Sequence, residues 1–210
     1  MILAIDTSLG SGVAVVGLDG RVAGEATTDD PLGHAEIIGD LLERALAQAG
    51  IAPADLTHVA AGMGPGPFTG LRIGVAAARA FALARGIPVV PVVSHDAAAL
   101  AHDDTARAYP LAIVTDARRR ELAYTLYSGI GADGIPVRLT EPALSPRDDL
   151  DAALAPRGAA RVDVATIAPA AVGRVAAALI ATDAVPAASE PLYLRAPDVT
   201  LGHIPKRVSA

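Results

Sequence analysis

The sequence predicts a two-lobed α/β protein in which both lobes are built from one strand–turn–strand unit. Leu3-Ala4-Ile5 and Leu111-Ala112-Ile113 each open an apolar run that ends on an aspartate, Asp6 or Asp116. A second apolar run follows each aspartate after a short turn, over residues 13–16 in the first half and 122–127 in the second. Each half then carries an Asp-Gly pair, Asp19-Gly20 and Asp133-Gly134. Asp-Gly between apolar runs marks a hairpin. The repeat divides the chain into a first lobe over 1–103, a smaller second lobe over 104–195 and a C-terminal tail over 196–210.

The elements follow in order. After the first hairpin, Ile37, Ile38, Leu41, Leu42, Ala45, Leu46 and Ala49 recur at helical spacing, with Glu36, Asp40, Glu43 and Arg44 on the opposite face. This predicts a helix over 34–49 that Gly50 ends. Residues 58–63 read as a strand, and a glycine-rich turn leads to a helix over 71–85 whose only charge between Ile73 and Ala84 is Arg79. Small residues cover most of that helix, which predicts burial on all sides, the far side by another helix of this chain or of a partner. Alanine-rich filler from a biased genome explains the same composition. A strand over 88–93 and a short helix over 97–101 complete the lobe. In the second half, 149–155 reads as a short helix, 162–167 as a strand, 169–181 as a helix with Pro169 at its favoured first position, and 191–195 as extended.

Composition bounds the function. The 210 residues are 52% hydrophobic and 3% aromatic, so Ala, Val, Leu and Gly do the packing. A net charge of −6 argues against a protein that grips nucleic acid alone, though not against a subunit of an RNA-modifying complex. No cysteine is present, which excludes disulfides and thiolate chemistry and fits a reducing cytoplasm. The N-terminus enters a strand without a signal-peptide layout, and no apolar run approaches the roughly 20 residues of a membrane span.

The most specific stretch is the loop Gly64-Pro65-Gly66-Pro67-Phe68-Thr69-Gly70-Leu71-Arg72-Ile73-Gly74. A glycine-rich turn from strand to helix presents backbone N–H groups at a positive dipole end, which suits an anion. Yet the loop has no lysine, and its two prolines remove two of those donors. It has the outline of a phosphate site without its working parts.

With Ile2-Leu3-Ala4-Ile5-Asp6-Thr7-Ser8 before it, and Asp116-Ala117-Arg118-Arg119 and Pro191-Leu192-Tyr193-Leu194-Arg195 after it, this loop resembles the TsaB family. The resemblance runs from Ile2 to about Arg195, with Pro67 where the family usually has serine. It implies an actin/Hsp70/sugar-kinase (ASKHA) fold, two lobes of ribonuclease-H-like topology, with a degenerate nucleotide cleft. It further implies a non-catalytic subunit that binds a TsaD paralogue and a TsaE-type ATPase, and supports threonylcarbamoyl transfer to the adenosine beside the tRNA anticodon. On that reading tRNA is met only through the complex, and a homodimer forms when the chain is alone. No cofactor, metal or catalytic residue is expected. Asp6, Thr7, Ser8, Gly64, Gly66 and Gly70 are then vestiges of phosphate loops, and tight ATP binding is not expected, because the second-lobe turn has no glycine.

The residues themselves agree. TsaD carries a His-x-x-x-His metal pair; His95 matches its first member, but Ala99 stands at the second, so His95 reads as a surface or capping histidine. Asp6 reads as a strand-end acceptor of turn N–H groups rather than a catalytic carboxylate. Ser8 and Ser11 lack a paired histidine. Arg118, Arg119 and Arg120 either contact tRNA or an acidic partner, or form a solvated turn. The helices 34–49 and 71–85 form the expected interface, through His34, Ile38, Leu41, Leu42, Ala45, Arg72, Ala76, Arg79 and Ala80, as halves of a four-helix bundle. Arg72 and Arg79 share a helix face and are expected to pair with acids of a partner or with Glu36, Asp40 or Glu43. The alternative is a stand-alone actin-like ATPase or kinase, or a peptidase acting on TsaD.

Overall fold

A computed structural model describes residues 1–28, 34–103, 109–184, 186 and 190–195, and the side chains of all of these except His34 and Asp103. The expected tail, 196–210, and the expected lobe boundary after 103 lie outside the described residues.

Two five-stranded sheets form the frame. In the first, β1 (Ile2–Asp6), β2 (Ser11–Val16) and β3 (Val22–Thr28) are an antiparallel meander. The Asp19-Gly20 turn joins β2 to β3, with Gly20 at φ +81° and the Gly17 N–H donating to the Arg21 carbonyl at 2.8 Å. Helix α1 (His34–Ala49) then carries the chain back, so β4 (His58–Gly62) pairs parallel with β1. Helix α2 (Phe68–Arg85) brings β5 (Val89–Val92) beside β4, giving the order β3-β2-β1-β4-β5. After α3 (Ser94–Asp103), the second sheet repeats the plan with β6 (Leu111–Asp116), β7 (Glu121–Ile130), β8 (Pro136–Arg138) and β10 (Ala160–Asp163) in the order β10-β6-β7-β8. Strand β9 (Ala143–Pro146), which the apolar pattern did not mark, pairs with β7, and α4 (Leu150–Leu154) precedes β10. Among the described residues a counterpart of β5 is absent. The strand order, shared between the sheets, is the ribonuclease-H-like plan of the actin/Hsp70-type fold.

Alternation along β1 separates two cores. Leu3 and Ile5 face α1 and α2 with Val13, Val15, Val59, Leu71, Val75 and Ala78. Ile2 and Ala4 face the opposite way, onto α3 and α5 (Pro169–Thr182), which also cover Leu111, Ile113 and Tyr127 of the second sheet. Helix α4 covers the far face of that sheet through Leu150 and Leu154. The layers run helix, sheet, helix, sheet, helix. Each fully buried Leu, Val or Ile contributes about 1.5–3 kcal/mol.

Helix α5, grouped with the second lobe by the sequence division, packs on β1 and β2 of the first. Its Ala171, Val172, Val175 and Ala176 cover the face of Ile2, Ala4, Ala14 and Val16. A Cβ at Gly173 would lie 2.9 Å from Val16 Cβ, so the helix seats there only without a side chain.

One expectation about the interface helices changes. Leu41 and Ala45 are fully buried against the first sheet and face no partner, because the apolar stripe of α1 is consumed by the core. Ile38 and Leu42 are half-buried at the edge of that core. The side chain of His34 lies outside the described residues. Helix α2 buries Leu71, Gly74, Val75, Ala78 and Ala82 within this chain and leaves Ala76, Ala80 and Leu83 exposed, Leu83 by 85%, on the side where the expectation put another helix of this chain or of a partner.

Candidate functional site

A cleft of about 1240 Å³ opens between the lobes where β1 and β6 end. The turn after β1 and the glycine-rich loop form one wall, the β6–β7 turn forms the other, and Tyr193, Leu194 and Arg195 line its edge.

The first-lobe wall spends its polar groups on itself. Asp6 is buried, and its carboxylate accepts the Ser8 N–H at 2.8 Å, the Ser8 hydroxyl at 2.5 Å and the Ser94 hydroxyl at 2.6 Å. Burial pushes the Asp6 carboxyl up from its ordinary range, against these three hydrogen bonds, which pull it down. The Thr7 hydroxyl donates to the Gly70 carbonyl at 2.6 Å and accepts the Gly74 N–H at 3.0 Å, fastening α2 to β1. A Cβ at Gly74 would overlap Thr7, so this join requires glycine. Gly64 donates to Ser94 Oγ at 3.0 Å, and Gly66 packs against the Ser8 backbone. Pro67 stands at the cap position of α2, which begins without a side-chain cap. The residues read as phosphate-loop vestiges are thus joined into one structural knot.

His95 corrects the expectation of a surface or capping residue. It is completely buried on α3, with Nδ1 2.8 Å from the Thr125 hydroxyl and Nε2 3.0 Å from the Thr115 hydroxyl. Burial, and secondarily the Arg138 charge, lowers its pKa to about 3. The unfolded chain therefore binds a proton near pH 6.5 that the folded chain refuses. The stability His95 contributes is present above pH 6.5 and is lost as pH falls from there towards 3, at up to about 1.4 kcal/mol per pH unit. Asp6, with its raised carboxyl, works in the opposite direction. Denaturant midpoints measured between pH 7 and 5 should fall steeply in the wild type and less steeply in His95→Gln; equal slopes would refute the assignment. Among the described residues, no group of three or more His, Asp or Glu side chains is arranged to hold a metal ion.

Beside His95 lies a charged cluster without a sequence signal. Asp96 takes Arg138 Nε at 2.7 Å and Nη2 at 2.5 Å in a bidentate pair, and accepts the buried Tyr127 hydroxyl at 2.8 Å. Arg138 and Asp96 side chains are 12% and 7% exposed. Burial disfavours the charge on Arg138, and its bonds to Asp96 more than restore it, leaving the guanidinium pKa raised. This cluster pins α3 to β7 and β8.

The second-lobe wall is a turn of unusual backbone. Arg118, Arg119 and Arg120 all lie in the left-handed region, at φ 62°, 50° and 63°, which costs a non-glycine residue roughly 1 kcal/mol or more each. Asp116 accepts the Arg118 N–H at 2.8 Å and pairs with Arg147 at 3.2 Å, and Arg120 pairs with Asp148 at 3.4 Å. Arg118 and Arg119 line the cleft.

Residues 190–195 cross from α2 to the second lobe. Leu192 donates its N–H to the Met63 carbonyl at 2.8 Å and packs on the first core. Arg79 pairs with Glu190 at 3.1 Å. The Arg72 guanidinium sits 3.8 Å above the Phe68 ring and donates to the Tyr193 hydroxyl at 3.1 Å, while Tyr193 and Phe68 lie 4.9 Å apart. Arg195 pairs with Glu121 of β7. Among the described residues the acids Glu36, Asp40 and Glu43 are not the partners of Arg72 and Arg79: the contacts found are with Phe68 and Tyr193 for Arg72 and with Glu190 for Arg79.

Comparison with known proteins places this geometry. A family model described as TsaD: tRNA N6-adenosine threonylcarbamoyltransferase matches residues 32–137. An uncharacterized protein of Mycobacterium tuberculosis is 42% identical over 207 residues, covering 94% of this chain and 92% of that one. The tRNA N6-adenosine threonylcarbamoyltransferase of Streptococcus pneumoniae is 51% identical over 59 residues, 28% of this chain and 18% of that one. A Pseudomonas aeruginosa crystal structure, described as an uncharacterized protein with similarity to peptidase YeaZ, superposes with a TM-score of 0.76 at 24% identity, over 92% of this chain and 99% of that one. At that identity the likeness carries the fold.

Proposed function

Because the chain belongs to the TsaB/TsaD family of tRNA threonylcarbamoyladenosine proteins, we propose that it works in this modification as a partner subunit without chemistry of its own, docking a TsaD paralogue. The single observation that carries the proposal is the outward face of α2. Ala76, Ala80 and Leu83 form an exposed stripe between α1 on one side and the 190–193 strap on the other. Small residues permit close backbone approach, and Leu83 offers an apolar knob 85% exposed that a partner helix pair would cover. TsaD carries the related lobe, so a pair of its own helices completes a four-helix bundle. A second copy of this chain uses the same surface when the paralogue is absent.

A separate enzyme, whether ATPase or peptidase, finds less support. Asp6, Thr7 and Ser8 are committed to holding β1, α2 and α3 together. His95 is neutral down to acidic pH and faces two threonines rather than a nucleophile. The TsaE-type ATPase supplies nucleotide turnover in this reading.

The test mixes the chain with its TsaD paralogue and measures the mass of the complex in solution, alongside ATP turnover by the isolated chain. A heterodimer mass and no turnover are expected. Two separate species, or turnover by the isolated chain, would overturn the proposal.

A further inference from the structure

The turn between β6 and β7 holds three consecutive arginines in backbone geometry that glycine adopts freely. The turn is closed by main-chain bonds, the Ala117 N–H to the Glu121 carbonyl at 3.1 Å and the Glu121 N–H to the Arg118 carbonyl at 3.0 Å, which do not involve the Arg118 side chain. The turn is braced by the Asp116 cap on the Arg118 N–H and by the ion pairs Asp116–Arg147 and Arg120–Asp148. Arg118 itself makes no side-chain hydrogen bond or ion pair among the described residues. It is exposed and lines the cleft beside Arg119. A strained, braced turn that aims an unpaired guanidinium into a cleft is a recognition element for an anion.

The surroundings choose among anions. A mononucleotide needs backbone N–H groups at close range; Pro65 and Pro67 have none, the turn has no glycine, and the first-lobe hydroxyls are bonded inward. The cleft encloses about 1240 Å³, and the Tyr193 ring, 38% exposed, is among the residues that line it. Guanidinium groups and a partly exposed aromatic ring that line one cleft are what an unpaired RNA strand uses, phosphates on the cations and bases on the ring. We propose that the 118–120 turn binds the phosphodiester backbone of tRNA, an inference that rests on the chain's place in a tRNA-modifying assembly. The net charge of −6 keeps this contact weak in the isolated chain, and the paralogue supplies the remainder of the binding surface.

Fluorescence anisotropy of a labelled tRNA transcript decides it, titrated at several KCl concentrations with the chain alone and with the chain plus its TsaD paralogue. Arg118→Ala/Arg119→Ala should weaken tRNA binding about tenfold and lower the slope of log K against log[salt] by about 1–2. Arg118→Gly should weaken binding while raising Tm by about 2–4 °C, since it removes a guanidinium and relieves the backbone. That opposition of signs separates recognition from a merely structural turn. Unchanged affinity and slope in the double variant, or no tRNA binding by the wild type in either arm, would overturn the proposal. So would unaltered tRNA binding with loss of the paralogue in a sedimentation arm, which would make the turn a contact for an acidic protein surface. If the wild type forms no complex with the paralogue, the partner-subunit reading fails, and the isolated-chain arm still decides the turn.

Discussion

Asp96→Ala should lower the stability of the chain by about 3–5 kcal/mol, the usual cost of stripping one partner from a buried ion pair. The change leaves the Arg138 guanidinium 12% exposed without its bidentate acceptor and the buried Tyr127 hydroxyl without its 2.8 Å partner. Glu141, at 3.3 Å and 80% exposed, compensates little. Denaturant unfolding of the variant checks the number. The double variant Asp96→Ala/Arg138→Met should recover a good part of the loss, because it removes the orphaned charge as well. A single-variant loss below about 1 kcal/mol would show that the cluster does not clamp α3 to the second sheet.

Ala80→Glu should abolish association with the TsaD paralogue while leaving the fold intact. Ala80 is exposed in the isolated chain, so a glutamate there stays in water. In a four-helix bundle the same carboxylate is buried without a partner, at a cost of about 3 kcal/mol or more, which is roughly a hundredfold or greater loss of affinity. Leu41→Ala is the contrasting control: Leu41 is 1% exposed on α1, and its truncation removes core and stability, by about 2–5 kcal/mol, without touching the interface directly. Unchanged affinity of Ala80→Glu, measured by calorimetry, would remove α2 from the interface.

The sequence was most legible where pattern and packing coincide. The apolar run that ends on Asp6 and the 3.6-residue stripe of 34–49 mark β1 and α1, the first because both of its faces are buried, the second because one of its faces meets the sheet. The repeated Asp-Gly turns found the twofold plan, since a turn is local chemistry. The stripe did not say which apolar positions of α1 would be spent on the core, and so Leu41 and Ala45 were assigned to an interface that the sheet already occupies. Asp96, Tyr127 and Arg138 escaped because they meet across separations of 31 and 42 residues, and none belongs to a motif. His95 was misplaced for the same reason: its two threonines lie 20 and 30 residues away, on strands that pattern alone does not bring to α3. The strap over α2 left one trace, the extended 191–195 segment, but its docking depends on contacts more than 100 residues back, from Arg72 and Arg79.

The position of α5 has a bearing on how the protein is made. One face of the first sheet is finished only by residues 169–182, the last helix among the described residues. A nascent chain therefore completes β1 to β5 with Ile2, Ala4, Ala14 and Val16 still bare on one side, and carries that open face through the synthesis of the whole second sheet. At about 5–20 residues per second, the interval from β5 to α5 lasts several seconds at least. The first lobe is not a self-sufficient folding unit. It waits for residues 169–182, and a chain halted before residue 169 presents to the cell a sheet with an exposed apolar surface in place of a finished half.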